Sequence, residues 1–453
     1  MELFNLLLVL PDADNKRILV YKDGNHLPSY TEPVGENVGF DEPQIYNNYF
    51  KKTTGIPVYR RYTFNTQEYV VFVFEHTNSN DFHMKNDCKW VTYDDFIATC
   101  HDAKIAKIVR NVKHDYNISE NMPWVNVDGF VPYMGWLKSV CDKHNICITG
   151  EILQLKNAYV STVFCVPTDK GNMYMKIPGR TFITELPFTQ RLKRLGLVDL
   201  PNWIDCNESI NVYLMSDMGG NDLPNQSDVG TVQNVILQYA NIQKASIPHI
   251  PLNFKHYDNT IAAILHKLKT FPKKSCEILQ GTLHALTVEE VHKLEEQMKT
   301  ATAMLESIVS ISIPDTIHHG DVRPGNIRVI DSQYMFYDWA WGAVSHPFIE
   351  VVSFIHIIRR TLPDESARET LVDNYIREWL EYGSYDDLKY VFSVLAVLKD
   401  LFFAIVDYDW VEAIAQSSTE PINPMSADGW LLERRIYYFA NVLKRFINTL
   451  LEI

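Results

Sequence analysis

A run of apolar residues long enough to cross a membrane is missing from this 453-residue chain. The strongest stretch, LLLVL at 6–10, falls far short of the ~20 residues a spanning helix needs. It follows Glu2 rather than a basic leader, so it reads as a strand, and no membrane partner is expected. An excess of positive charge is also missing: 42 Lys and Arg stand against 56 Asp and Glu, a net charge of -14. Phosphate backbones demand clustered cations, which excludes a nucleic-acid partner. The acidity admits a cationic ligand, though it serves solubility equally well. Cysteine is sparse, with seven residues at Cys88, Cys100, Cys141, Cys147, Cys165, Cys206 and Cys276 and no CxxC pair. That excludes a zinc ribbon and a disulfide framework and points to a reducing, cytoplasmic compartment. Low-complexity tracts and internal repeats are absent as well. What remains is ordinary for a soluble globular protein, 46% hydrophobic and 22% charged, with length enough for two or three domains. Nothing in the composition bears on oligomeric state.

Chemically committed residue types concentrate in one stretch, 317–348, IHHGDVRPGNIRVIDSQYMFYDWAWGAVSHPF. Phosphoryl transfer to a hydroxyl needs a carboxylate to take the proton and oxygen ligands to hold Mg²⁺ against the phosphates. Asp321 fits the first task; Asn326 and Asp338 fit the second. Pro324 and Gly325 fix and free the backbone between them, so Asp321 and Asn326 can project from one short loop. Residues 327–330 and 334–337 read as two strands joined at Asp331-Ser332, a hairpin that would return Asp338 beside Asn326. Asp and Asn also favour turns for structural reasons alone. The full His-Gly-Asp, four-residue, Asn pattern should arise by chance in roughly one chain of this length in several hundred.

The stretch resembles the catalytic segment of the aminoglycoside phosphotransferase and choline kinase superfamily, whose fold is protein-kinase-like. Asp321 matches its catalytic Asp, Asn326 its metal-binding Asn, and Asp338 in YDW stands in for the metal-binding Asp of the DFG motif. Arg323 departs from the His or other residue expected there, a departure that bears on the acceptor side. The resemblance implies ATP or GTP and Mg²⁺ as cofactors and a small-molecule hydroxyl acceptor.

Upstream, 148–155, 161–167 and 172–177 read as strands, the last two joined by a TDKG turn. Lys176 closes the third. A kinase needs such a Lys on the α- and β-phosphates and a Glu on the next helix to hold it, and Glu185 is the candidate. An exposed strand-end Lys and an exposed helix Glu are the bland alternative. A GxGxxG loop is missing; the hairpin KNAYVS at 156–161 takes its place, either with Ser161 and local amides toward the phosphates or as an ordinary hairpin turn. A further strand, 211–215, runs into SDMGG. In the superfamily a similar segment joins the lobes, which would set the backbone from Ser216 to Met218 against the adenine edge. Gly219 and Gly220 also suit a plain flexible turn.

Helical periodicity marks 231–246, 259–269, 287–310, 350–360, 365–382, 386–405 and 431–451, with a capping box at Thr287 and Glu290. VDYDWVEA at 406–413 gathers Asp407, Asp409 and Glu412 among aromatics, either a grip for an amine-bearing acceptor or a solvated helix end. Glu350 lies where superfamily members often carry an acid that supports the catalytic loop.

The first 105 residues give strands at 3–10, 17–21 and 69–74 and a helix at 43–54, a small α/β domain. It resembles the Nudix hydrolase domain, with Gly39 and Gly55 at the separation of the Nudix box and KWVTYDDF at 89–96 as its Trp-containing segment. Where that family places Arg and three Glu, this chain has Asn48, Tyr49, Lys52 and Thr53, which cannot collect Mg²⁺ around a diphosphate. An unrelated α+β domain remains the alternative. The expected architecture is α+β: a degenerate Nudix-like domain at 1–105, a linker at 106–129, a nucleotide-binding β-rich lobe at 130–220, and a helical lobe with the catalytic loop at 221–453. Two other functions stay open, a protein-directed kinase and a non-catalytic nucleotide-binding or interaction module.

Overall fold

The computed structural model describes residues 5–12, 14–24, 26–30, 43–65, 69–77, 83–114, 119–182, 184–250, 254, 257–416, 427–449 and 451. Gly39, like residues 3 and 4 of the first expected strand, lies outside them. The chain is mixed α+β and divides into a sheet-rich unit, residues 1–181, 203–217 and 413–433, and a helix-rich unit, 182–202, 218–412 and 434–453.

The sheet-rich unit starts with β1 (Asn5–Val9), β2 (Arg17–Tyr21), β3 (Ser29–Tyr30), α1 (Gln44–Thr54), β4 (Val58–Asn65), β5 (Tyr69–His76), β6 (Cys88–Thr92), α2 (Tyr93–Thr99) and α3 (Ala103–His114). One sheet has the order β3-β1-β5-β4, with β1 and β5 parallel and the other pairs antiparallel; β2 and β6 form a second. Leu6, Leu8, Phe72 and Phe74 alternate on one face and pack with Tyr46 and Phe50 of α1, the pattern of strands half covered by an amphipathic helix. Gly55 closes α1 in the left-handed conformation.

The stretch expected to connect domains carries α3 to His114, then a 3₁₀ turn at Pro123–Val125 whose Trp124 is completely buried. After α4 (Val131–His144) come β7 (Leu153–Ala158), β8 (Ser161–Thr168), β9 (Gly171–Pro178), β10 (Trp203–Asn207) and β11 (Val212–Ser216), one antiparallel sheet of order β10-β11-β9-β8-β7. The strand expected at 148–155 starts later and runs through the KNA of the hairpin, because Ile148 makes only an isolated bridge to Thr168.

The helix-rich unit holds α5 (Glu185–Leu195), β12 (Asn221–Asp222), α6 (Val229–Ser246), β13 (Asp258–Asn259), α7 (Ile261–Leu268), α8 (Phe271–Leu279), α9 (Val288–Ile308), β14 (Thr316–His318), β15 (Ile327–Ile330), β16 (Gln333–Phe336), β17 (Ala343–Ser345), α10 (Pro347–Ile358), α11 (Glu365–Arg377) and α12 (Tyr385–Val397). Then α13 (Lys399–Gln416) and α14 (Ala427–Asn448) run from one unit's residues into the other's. The capping box of α9 forms as expected, with Thr287 Oγ1 accepting from Glu290 N and Glu290 Oε2 accepting from Thr287 N. One helix expected at 386–405 is two, broken at Leu398 (φ -85, ψ 6). Apolar residues continue across the break, so periodicity does not register it. Helix α8 was not expected: Pro272 sits in its first turn, where its missing N–H costs nothing, and the nine-residue segment is short for a periodic signal.

Candidate functional site

The loop between β14 and β15 is built on a buried acid. Glu350, in the first turn of α10 and 1% exposed, accepts backbone N–H bonds from His319 (2.8 Å), Gly320 (2.8 Å) and Val322 (3.2 Å). The Tyr239 hydroxyl lies 3.3 Å away and His318 Nδ1 3.0 Å away. Burial alone would raise its pKa; the neighbouring His318, then His319 and the loop amides, outweigh that and hold it near about 2. A carboxylate at a helix N-terminus is also favoured by the helix dipole. The result is a loop fixed at three amides by one ion.

That loop presents Asp321. Its Oδ2 accepts from Asn326 Nδ2 at 2.8 Å and from Arg323 Nε at 3.1 Å, and Asn326 Nδ2 also reaches Asp321 O at 2.9 Å. With Oδ2 committed, Oδ1 is the oxygen left for a hydroxyl. Burial pushes the Asp321 carboxyl above its ordinary pKa, with Arg323 and His319 opposing. Its side chain remains 34% exposed, so it is reachable. The 3₁₀ turn Pro324–Asn326 carries Asn326, 3% exposed, back under Asp321.

Asp338 is tied to the same loop by two routes. His319, fully buried, accepts from Asp321 N at Nδ1 (3.3 Å) and donates from Nε2 to Tyr337 O (2.9 Å). Tyr337 N donates to Asn326 O at 3.1 Å. The expected hairpin forms, with Ile327 opposite Phe336 and Ile330 opposite Gln333; Asp331 and Ser332 both have positive φ, the primed turn that matches strand twist. Asp338 itself sits at φ 65, a conformation unusual for a non-glycine residue. Gly320 is obligatory: φ is 82, and a Cβ there would lie 2.4 Å from Trp341 Cβ. At Gly220 (φ 61) a Cβ would meet Val329 O at 2.1 Å, so the SDMGG segment needs glycine to let β12 pair with β15.

The donor set suits Mg²⁺. Asn326 spends its N–H groups on Asp321, leaving Oδ1 as a ligand atom, and Asp338 adds a carboxylate. Among the described residues no group of three His, Cys, Asp or Glu is placed to hold a metal. A cation here would therefore keep most of its ligands as water or phosphate oxygens, the habit of Mg²⁺.

The other expected site residues are distributed between the units. Lys176 lies on β9 and is 6% exposed, and Glu185 opens α5 at 2% exposed; neither is the exposed strand-end or helix residue of the bland reading. Ser161 starts β8, 1% exposed, its Oγ without a hydrogen-bond partner among the described residues. Ser216 ends β11 opposite Met173, and Met218 begins the next stretch of the helix-rich unit. The acidic patch is neither a solvated helix end nor an open grip for an amine. It lies within α13, and Asp407 pairs with Arg435 (3.2 Å), Asp409 with Lys267 (2.5 Å) and Glu412 with Lys274 (3.1 Å). Sequence reasoning missed His318 and Tyr239 as partners of Glu350, since only the fold brings α6 and β14 to the base of α10.

No family model matches the sequence, and no curated protein is similar to it in sequence. Among solved structures, it is similar to an ethanolamine kinase of Plasmodium vivax (12% identity, 76% of this chain and 93% of that one, TM-score 0.48). It is also similar to a choline kinase of Cryptosporidium parvum Iowa II (12% identity, 70% and 98%, TM-score 0.47) and to a macrolide 2'-phosphotransferase of Brachybacterium faecium (10% identity, 67% and 98%, TM-score 0.43). Likenesses this distant do not decide chemistry, which rests on the geometry above. The described residues include no helix long and apolar enough to cross a membrane.

Proposed function

We propose that the chain is a phosphotransferase that moves the γ-phosphoryl of ATP or GTP to a hydroxyl of a small-molecule acceptor. The observation that carries this reading is the Asp321 loop, where one carboxylate oxygen is saturated by Asn326 and Arg323 and the other is left to orient and deprotonate a hydroxyl. Burial raises its pKa, with Arg323 and His319 opposing, the direction that favours a general base. Asn326 and Asp338 would hold Mg²⁺, which supplies charge neutralisation at the transferring phosphates. Positive charge for the α- and β-phosphates is assigned to Lys176, with Glu185 to steady it. Ser161 is assigned to the phosphates, and the backbone of Ser216 and Met218 to the base. A cationic acceptor is not favoured by α13, whose carboxylates already have cationic partners.

The test is radiolabel transfer from γ-labelled ATP in a metabolite extract, with Asp321→Asn as the blank. The variant is expected to lose a factor of about 10³ or more in turnover while folding normally, because an amide cannot take the proton. Unchanged transfer to an identified product would end the proposal.

A further inference from the structure

Two irregular strands in the sheet-rich unit are joined by side chains. In β4 the pairing with β5 slips between Arg60 and Tyr62, and in β7 the pairing with β8 slips between Gln154 and Lys156. The strand β4 is the edge of its sheet, so its outer backbone groups have no strand partner within it. Here those groups are taken by amides from β7. Gln154 Oε1 accepts from Arg60 N (2.8 Å) and its Nε2 donates to Arg60 O (3.0 Å). Asn157 Nδ2 donates to Arg60 O (2.6 Å) and Arg61 O (3.0 Å), and its Oδ1 accepts from Trp124 Nε1 (2.9 Å). The Arg60 guanidinium closes the ring on Asn157 O at 3.3 Å. Arg60, Trp124, Gln154 and Asn157 are all buried.

The bulge in β7 makes this possible. Positions 154 and 157 would face opposite sides of a regular strand. With the slip, Gln154 stands opposite Phe164 and Asn157 opposite Thr162, two positions on one face of β8. On that face Phe164 completes a three-ring cluster with Tyr59 and Phe130. Lys176, opposite Val163, belongs to the other face. The N-terminal strands thus back the sheet whose opposite side bears the lysine.

The hairpin these amides hold does not close itself. Tyr159 and Val160 join β7 to β8 as a two-residue loop, yet neither has the positive φ of the turns that match strand twist. Its geometry therefore depends on neighbours: Val160 O accepts from Gly179 N at 2.9 Å, and Asn157 ties the strand before the loop to Arg60, Arg61 and Trp124.

We infer that Asn157, with Gln154, is a positioning residue through which the N-terminal α/β region sets the 156–161 hairpin and hence the affinity for nucleotide phosphates. This rests on the nucleotide role proposed above for Ser161 and Lys176. The region is then part of how the binding sheet is built, not an appended module.

The test uses the full chain and two readouts: the Kd of a fluorescent ATP analogue with Mg²⁺, and the thermal midpoint without nucleotide. Asn157→Ala is expected to weaken binding about 10-fold or more, the effect of removing the partner of Arg61 O and Trp124 Nε1 and one of the two donors to Arg60 O. Trp124→Phe keeps an aromatic ring but removes the N–H together with the five-membered ring of a fully buried indole. It should lower the midpoint and weaken binding about 3-fold, and it decides the matter if Asn157→Ala fails to fold. A lowered midpoint in either variant with Kd unchanged would reduce the network to a purely structural role and overturn the inference. Failure of the wild-type chain to bind the analogue would overturn the nucleotide reading itself, a separate and distinguishable result.

Discussion

Each unit contains a two-residue hairpin beside residues assigned to the reaction, and the two are held in different ways. The turn at Asp331-Ser332 has positive φ at both residues and closes itself, while its neighbouring loop is fixed by one buried carboxylate, Glu350. The turn at Tyr159-Val160 lacks positive φ, and the strand that leads into it is held by neutral amides reaching to a bulge nearly a hundred residues earlier in the chain. An ion concentrates the anchoring in one residue and makes it sensitive to pH. A set of neutral amides spreads it over several residues and makes it insensitive.

The largest effect should come from removing the ion. Glu350→Ala removes the acceptor shared by His319 N, Gly320 N and Val322 N and leaves His318 without its acid. We expect a loss of about 3–5 kcal/mol in stability and of most turnover, measured by urea unfolding and by phosphate transfer. The folded pKa of Glu350, about 2, lies below the unfolded value of about 4.3. Its stabilising contribution, about 3 kcal/mol, is therefore complete above the unfolded pKa and is lost as pH falls through about 2. Wild type should lose this increment between pH 5 and 2, and the Ala variant should not. Equal acid sensitivity in both chains would break the contrast.

The sheet-rich unit carries a carboxylate whose pKa is shifted the other way. Glu75 on β5 accepts from Gly129 N (3.2 Å) and Phe130 N (3.4 Å), and burial, opposed by the Arg61 charge, lifts its pKa to about 7. Its contribution is complete below the unfolded pKa and is lost as pH rises through about 7, by no more than about 4 kcal/mol. Glu75→Gln should therefore gain on wild type between pH 5 and 8 in urea unfolding. A parallel pH profile would show that Glu75 titrates normally.

How much of this was legible in the sequence follows the range of the interactions. The Asp321 loop, the 327–337 hairpin with its Asp331-Ser332 turn and the capping box at Thr287 depend on neighbours within a few residues, and each was expected where it stands. Glu350 was expected from resemblance, but its partners His318 and Tyr239 were not, because they converge only when α6, β14 and α10 pack. The Arg60, Gln154 and Asn157 network left no trace in periodicity: it exists because two bulges shift register, and bulges are set by tertiary context. The break at Leu398 was hidden for a related reason, since apolar spacing runs through it. The α13 carboxylates looked available because their partners, Lys267, Lys274 and Arg435, are remote in sequence.

The smallest effect is the most direct comparison of the two turns. Ser332 holds φ 65, where a Cβ is unfavourable by about 1 kcal/mol and glycine is not. Ser332→Gly removes that strain and loosens the unfolded chain, for a net gain of about 0.5 kcal/mol with turnover unchanged. Val160 occupies the equivalent place in the other hairpin without a positive φ, so Val160→Gly gains nothing in the turn and pays the full entropic loss, about 1 kcal/mol. It should also weaken nucleotide binding, because a looser turn leaves more of the hairpin's geometry to Asn157. Opposite signs in urea unfolding would confirm that one hairpin sets its own shape and the other has it imposed; the same sign in both would remove the distinction.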